Sequence, residues 1–166
     1  LQLDKELMTN ITGSKKVMVV QVALMTHYDS RVFDNVKKHE FALRSAMLDV
    51  MLGRDPNVLM FGEDSGAFGG VFRVTEGLQQ KYGPQRVFDM PLAENGLTGV
   101  CIGAAISGMR PVMIHQRIDF AMLAMDQIVN NAAKWHYMFD GKARVPLVIR
   151  MIVGRGWGQG PQHSQS

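Results

Sequence analysis

The stretch Asp89-Met90-Pro91-Leu92-Ala93-Glu94-Asn95-Gly96-Leu97-Thr98-Gly99 joins an extended, proline-bearing segment to a helix that carries Glu94 in its first turn. From Leu97 onward, Val100, Cys101, Ala104, Ala105 and Gly108 recur at i+3, i+4, i+7, i+8 and i+11, the period of an apolar helical face. Gly96, Gly99 and Gly103 fall near one another on this helix, although a glycine in a helix interior costs roughly 1 kcal/mol. That cost is offset where another element or a ligand approaches the backbone closely. Glu94 admits two readings. It is an acid favoured at a helix N-terminus by the macrodipole, or a partly buried carboxylate aimed at a basic ring nitrogen of a bound cofactor.

Helix and strand alternate on either side of this stretch. Residues 37–53 read as a helix with Phe41, Ser45, Leu48 and Leu52 on one face and Gly53 as its stop. Val58-Leu59-Met60-Phe61 is a short continuous apolar run, the form of a strand buried on both faces of a parallel sheet, and it ends at Gly62-Glu63-Asp64. Ser65-Gly66-Ala67-Phe68-Gly69-Gly70 lacks a following Lys-Ser/Thr and is no P-loop. It reads as a flexible loop into a short helix over 71–81. Arg86-Val87-Phe88 is a second strand, Val112-Met113-Ile114 (after a turn at Arg110-Pro111) a third, and residues 145–151 a fourth. The alternation predicts an α/β fold, a mostly parallel sheet flanked by helices with right-handed crossovers.

Open sheets of this kind bind ligands beyond the carboxyl ends of their strands. Glu63, Asp64, Glu94 and His115-Gln116-Arg117 all fall there. Phe120, Leu123, Ala124, Gln127, Ile128, Asn131, Ala132 and Trp135 mark one face of a further helix. Met122, Met125, Val129 and Ala133 make its opposite face apolar as well, so this helix is buried or lies in a subunit interface. Residues 154–160 read as a mobile loop leading to Gln162-His163-Ser164.

The 166 residues are 46% apolar, which suits one domain with a real core. A net charge of +3 from dispersed basic residues leaves no nucleic-acid footprint. The single Cys101 excludes an internal disulfide framework, fits a reducing compartment, and on an apolar helix face reads as an inert core thiol. No apolar run reaches the ~18 residues of a membrane span and no signal peptide shows at the start, so no membrane partner is expected. Residues 1–36 read as an amino-terminal extension or a connection from a preceding segment, with a strand over 17–25. His27 and His39 are most simply solvated side chains. The Leu start and Gln-Ser end read as cuts in a longer polypeptide.

Gly62-Glu63-Asp64, Phe68-Gly69-Gly70-Val71-Phe72-Arg73-Val74-Thr75-Glu76-Gly77-Leu78, Lys81-Tyr82-Gly83, Arg86-Val87-Phe88 running on to Gly96, Asp126-Gln127-Ile128-Val129-Asn130-Asn131-Ala132-Ala133-Lys134 and Gln162-His163-Ser164-Gln165-Ser166 occur in this order. Together they closely resemble the beta subunit of the thiamine-diphosphate-dependent 2-oxo acid dehydrogenases, the decarboxylating component of the pyruvate and branched-chain complexes. The resemblance implies that residues 37–166 are the front part of a transketolase-like, pyrimidine-binding domain. It implies that Glu94 hydrogen-bonds the cofactor's pyrimidine ring and that Glu63 is a second acid bonded to Glu94. Leu92 and Gln116 become cofactor contacts, and Phe120 the aromatic stacked on the aminopyrimidine. His163 becomes an active-site histidine handling the substrate carboxylate or acyl transfer. The Leu147 carbonyl would help bind a structural potassium ion whose other ligands lie beyond Ser166. His115 and Arg117 depart from the commoner family residues, which are apolar or acidic there.

Such a cofactor carries the hard chemistry itself, and a carboxylate beside the pyrimidine favours the protonated ring. The Gly-Asp-Gly motif with a downstream Asn, which binds magnesium and diphosphate in this superfamily, is absent from the sequence. The chain is therefore expected to supply half a site, with an alpha subunit or diphosphate-binding domain supplying magnesium and the other half. A second beta copy and a lipoyl acyltransferase are the further implied partners. The implied activity is oxidative decarboxylation of a 2-oxo acid with acyl transfer to a lipoyl group, in a bacterial cytoplasm or a mitochondrial matrix, with this chain alone inactive. Another transketolase-like or acetoin-cleaving thiamine enzyme, or a noncatalytic assembly module, is the alternative.

Overall fold

The computed structural model describes residues 7–10, 17–20, 38–153 and 160–163. Strands β1 (Leu7–Asn10) and β2 (Val17–Val20) pair antiparallel, Leu7 opposite Val20 and Asn10 opposite Val17. The strand expected over 17–25 is thus described for its first four residues, and the rest lies outside the described residues, as does the loop over 154–159. Helix α1 (Glu40–Arg54) runs one residue past the predicted stop at Gly53. Its end is set by Pro56: the residue before a proline is pushed out of the helical region, and Asp55 is extended at φ −133°, ψ 113°. Leu48 and Leu52 are buried as expected, but Phe41 is 43% exposed and stacks on Phe72 with ring centroids 5.1 Å apart.

Four strands form one parallel sheet: β3 (Val58–Gly62), β4 (Val87–Asp89), β5 (Arg110–Ile114) and β6 (Val148–Arg150), in spatial order β4-β3-β5-β6. Alternation along β3 and β5 divides the core. Val58, Met60, Val112 and Ile114 join Leu48, Leu52, Val74 and Leu78 on one face. Phe61 and Met113 join Leu97 and Cys101 of helix α3 (Glu94–Ile106) on the other. With both faces covered, the strands read as continuous apolar runs. Pro111 fits inside β5 because pairing with β6 begins only at Val112, so no ladder hydrogen bond is lost on that side.

Three expectations are corrected. The helix predicted over 71–81 is confined to α2 (Leu78–Tyr82), because Gly70, Arg73 and Gly77 all take positive φ (81°, 56° and 78°) and interrupt a right-handed helix. The single helix expected from Phe120 to Trp135 is instead α4 (Ile118–Ala121), a 3-10 turn (Met122–Ala124), a π-helical stretch (Gln127–Ala132) and α5 (Ala133–Met138). The glycines of α3 are not needed for close approach within this chain: a Cβ at Gly96 or Gly99 would meet neighbours at 3.9 and 3.7 Å, and one at Gly103 nothing within 4 Å among the described residues. The buried stripe of α3 is Leu97, Thr98, Cys101, Ile102 and Ala105, which turns Val100 and the glycine face outward.

Gly62 is required instead. A Cβ there would lie 2.2 Å from the Ile114 carbonyl oxygen across the β3–β5 pair. Gly62→Ala is expected to cost about 1–3 kcal/mol, the scale of forced overpacking, read as a lower urea midpoint with unchanged slope.

Candidate active site

Strand order fixes where the site lies. The chain passes from β3 to β4 on one side, then returns across β3 to β5 on the other, so the connections diverge between the carboxyl ends of β3 and β5. Such a switch point opens the crevice in which open α/β sheets bind ligands. Glu63 follows β3, and His115 and Gln116 follow β5. Asp89 closes β4 and Glu94 opens α3. A cleft of about 840 Å³ occupies this edge, and Glu63, Leu92, Glu94, Gln116, Phe120 and His163 all line it. The structure thus brings together six of the seven residues singled out from the sequence. The seventh, Leu147, stands apart, half-buried between the packing of β5, α3 and the helical segment beyond.

Two carboxylates at this edge are buried: Glu63 is 8% and Glu94 7% exposed. Burial first, then the Glu94 charge, then that of Asp64, push the Glu63 carboxyl up from 4.5 to about 7. Its Oε1 is buried without a hydrogen-bond partner. Glu94 sits in the first turn of a helix whose N-cap, Ala93, offers no side-chain cap, so the macrodipole does favour an acid here. A carboxylate serving only the dipole would keep its hydration, however, whereas Glu94 faces the cleft from a buried position. The Thr98 hydroxyl donates to the Glu94 carbonyl at 2.8 Å and steadies this turn.

Polar contacts set the frame around the pair. Gln116 Nε2 donates to the Glu63 carbonyl at 2.7 Å, so the Gln116 amide ties the ends of β3 and β5 together. Asp89 accepts the Gly66 amide at 2.6 Å and the Ala67 amide at 3.3 Å, which pins the glycine-rich loop beside the cleft. Arg117 and Asp119 form a buried ion pair at 2.7 Å. The Phe120 and His163 rings meet edge to face, centroids 5.1 Å apart, at the cleft wall. Leu92 is exposed into the cleft. The sequence reading gave Asp89 no role of its own; its place at the end of a strand was the available signal. Cys101 is buried and its thiol is pushed up to about 12 by burial, so it is no nucleophile.

The donor set suits a cofactor with a basic, planar nitrogen ring. Two buried acids, one with an unpartnered oxygen, stand beside an aromatic ring and an exposed aliphatic side chain in a cleft that Asp64, Asp89, Gln116, Arg117 and His163 also line. Among the described residues no group of three or more His, Cys, Asp or Glu side chains could hold a metal ion. No described helix is long and apolar enough to cross a membrane.

This fold is an α/β domain whose candidate site lies at the switch point of its parallel sheet. The family model described as "Transketolase, pyrimidine binding domain" matches residues 41–166, and the chain belongs to that family. It is 50% identical over 125 residues to the 2-oxoisovalerate dehydrogenase subunit beta of Pseudomonas aeruginosa, covering 75% of this chain and 35% of that protein. It is 48% identical over 124 residues to a pyruvate dehydrogenase E1 component subunit beta of Chaetosphaeridium globosum, covering 75% and 38%. A mitochondrial pyruvate dehydrogenase E1 component subunit beta-1 of Arabidopsis thaliana is 45% identical over 124 residues, with 75% and 34% covered. The chain spans about a third of the length of these relatives.

Proposed function

We propose that this chain supplies the aminopyrimidine half of a thiamine-diphosphate site, in a subunit that decarboxylates a 2-oxo acid and passes the acyl group to a lipoyl carrier. The observation that carries the reading is the buried Glu63–Glu94 pair lining one cleft at the switch point, with one Glu63 oxygen left without a hydrogen-bond partner. When bound, the cofactor supplies a thiazolium carbon that adds to the substrate's 2-oxo group. Glu94 would accept a hydrogen bond from the protonated pyrimidine ring and hold that proton in place. Glu63, already drawn toward its protonated form, would donate to Glu94 and fix its orientation. Phe120 and Leu92 would hold the ring between them and exclude water. Gln116 would keep the two strand ends, and with them both acids, in register.

The relatives' names support a dehydrogenase over a transketolase-like or acetoin-cleaving enzyme, and over a noncatalytic assembly module. Magnesium and the diphosphate would be held by an alpha subunit or diphosphate-binding domain. A potassium ion at the Leu147 carbonyl would need ligands from outside this chain. Met122, Leu123, Val129, Tyr137 and Met138 expose apolar surface along the helical segment after β5, which suits packing against a second beta copy in a heterotetramer.

The test is reconstitution. The full-length subunit with its partner should turn over a 2-oxo acid with a lipoyl acceptor, whereas calorimetric titration of this chain alone should show only weak cofactor binding. Submicromolar affinity without any partner would refute the half-site reading. His163→Ala in the assembly should spare cofactor affinity and lower turnover by roughly 100-fold, the scale of a general acid-base contribution. Rates within a few-fold of wild type would return His163 to a wall residue packed on Phe120.

A further inference from the structure

Glu63 is held at the cleft through its backbone rather than through its carboxyl. Its Oε1 is buried without a hydrogen-bond partner. The carbonyl of the same residue accepts Gln116 Nε2 at 2.7 Å and the Ser65 hydroxyl at 3.2 Å. The chain turns sharply straight after it: Asp64 takes φ 54°, in the left-handed region, and its carbonyl accepts the Gly70 amide at 2.6 Å. A non-glycine residue keeps such a conformation only where its surroundings over-determine it. Gln116, from beyond β5, supplies one hold on this turn. The other comes from the strand on the opposite side. Asp89 stands across from Gly62 in the β3–β4 pair, and its two carboxylate oxygens accept the successive amides of Gly66 and Ala67 at 2.6 and 3.3 Å. The fit is close. A Cβ at Gly66 would lie 2.7 Å from both Asp89 Oδ2 and Gln79 Nε2, and Gln79 is itself fixed on the Val87 carbonyl of β4 at 2.8 Å. An ionised carboxylate offers acceptors only, which suits two neighbouring N–H groups, whereas an asparagine would turn a donor toward one of them.

We propose that Asp89 is a positioning residue that acts through Glu63: Asp89 and Gln116 grip the turn after β3 from the two flanking strands, and this grip keeps the Glu63 carboxyl buried at the cleft. Asp89 lines the same cleft, but with both oxygens on backbone amides it serves the wall rather than the contents. Released from the grip, the turn would let Glu63 reach water, and the carboxyl would lose the burial that chiefly favours its protonated form. The catalytic consequence rests on the proposed role of Glu63 toward Glu94. The grip itself belongs to the cofactor-free protein.

The test therefore uses the full-length subunit assembled with its partner and freed of cofactor. Hydrogen exchange reads the Gly66 and Ala67 amides. Infrared difference spectra follow the carboxylic-acid stretch of Glu63, assigned by its loss in Glu63→Gln. Asp89→Ala should speed exchange at both amides by roughly 10-fold or more, the factor that losing a hydrogen bond to a charged group implies. It should also lower the Glu63 midpoint by about one pH unit as water reaches the carboxyl. Gly66→Ala crowds Asp89 off the loop while keeping its charge, and should lower that midpoint as well. Asp89→Asn loses the charge but keeps one acceptor, and should lower it less than Asp89→Ala does. A midpoint unmoved in both Asp89→Ala and Gly66→Ala overturns the proposal. So does an equal fall in Asp89→Ala and Asp89→Asn with none in Gly66→Ala, the mark of a bare charge effect. With cofactor restored, Asp89→Ala should lower kcat in the otherwise wild-type enzyme and add little in a Glu63→Gln background. Fully additive losses would show that Asp89 does not act through Glu63. Turnover that survives Glu63→Gln would sink the proposed role of Glu63, while the cofactor-free readings still decide the grip.

Discussion

Glu94→Gln is expected to slow hydrogen–deuterium exchange at the thiazolium carbon of thiamine diphosphate by roughly 100-fold or more in the assembled enzyme, the scale of a general acid-base contribution. Gln keeps the length and planarity of the side chain, so the first turn of α3, with the Thr98 hydroxyl on the Glu94 carbonyl, should persist. What it removes is the negative charge beside the ring, which favours the protonated pyrimidine. An acid that merely complemented the helix dipole would give a different signature: about 0.3–1 kcal/mol of lost stability and unchanged exchange. The two outcomes are separable because exchange and melting are measured on the same preparation. An unchanged exchange rate would leave Glu94 as a first-turn acid and remove the centre of the proposed function.

The position of the site was legible because it depends on order along the chain. Continuous apolar runs at Val58 to Phe61 and Val112 to Ile114 announce strands buried on both faces, and whatever follows such strands lands at the ligand-binding edge. Glu63, Gln116 and Glu94 could be placed there without any knowledge of distances. Burial was a different matter. That His115 is enclosed follows from the register of β3 against β5 and from the Arg150 carbonyl of β6, which are contacts between residues far apart in sequence.

The misreadings have local physical causes. A segment apolar on both faces, as from Met122 to Ala133, gives a periodic pattern no single buried stripe to reveal. The shift into a π-helical stretch at Gln127–Ala132 therefore left no trace in the residue order. The loop before α2 turns on Arg73 at φ 56°, a left-handed position at a residue type that does not advertise one. On α3 the apolar period placed Val100 on the buried face, although the actual stripe is rotated by about one residue toward Thr98 and Ile102. The glycine face thereby left open lies beside the first turn that carries Glu94 and suits cover by a ligand or a partner subunit.

Glu63→Gln is expected to stabilise the protein at high pH while impairing catalysis. The Glu63 carboxyl is raised from 4.5 to about 7 in the folded state, chiefly by burial and then by the Glu94 and Asp64 charges. A raised acid contributes nothing adverse below its unfolded value, where it is protonated in both states. As pH rises from about 4.5 through about 7, the unfolded chain releases the proton first, and the fold loses stability. At about 1.4 kcal/mol per pH unit, the full loss approaches about 3 kcal/mol above pH 8. Gln has no such proton to release. The variant should match wild type near pH 4, melt higher than wild type above pH 8, and turn over more slowly throughout because Glu94 has lost its neighbouring acid. Parallel melting curves for variant and wild type across this range would mean that Glu63 is not held against its own ionisation. A higher melting temperature with catalysis intact would mean that its burial serves something other than the proposed chemistry.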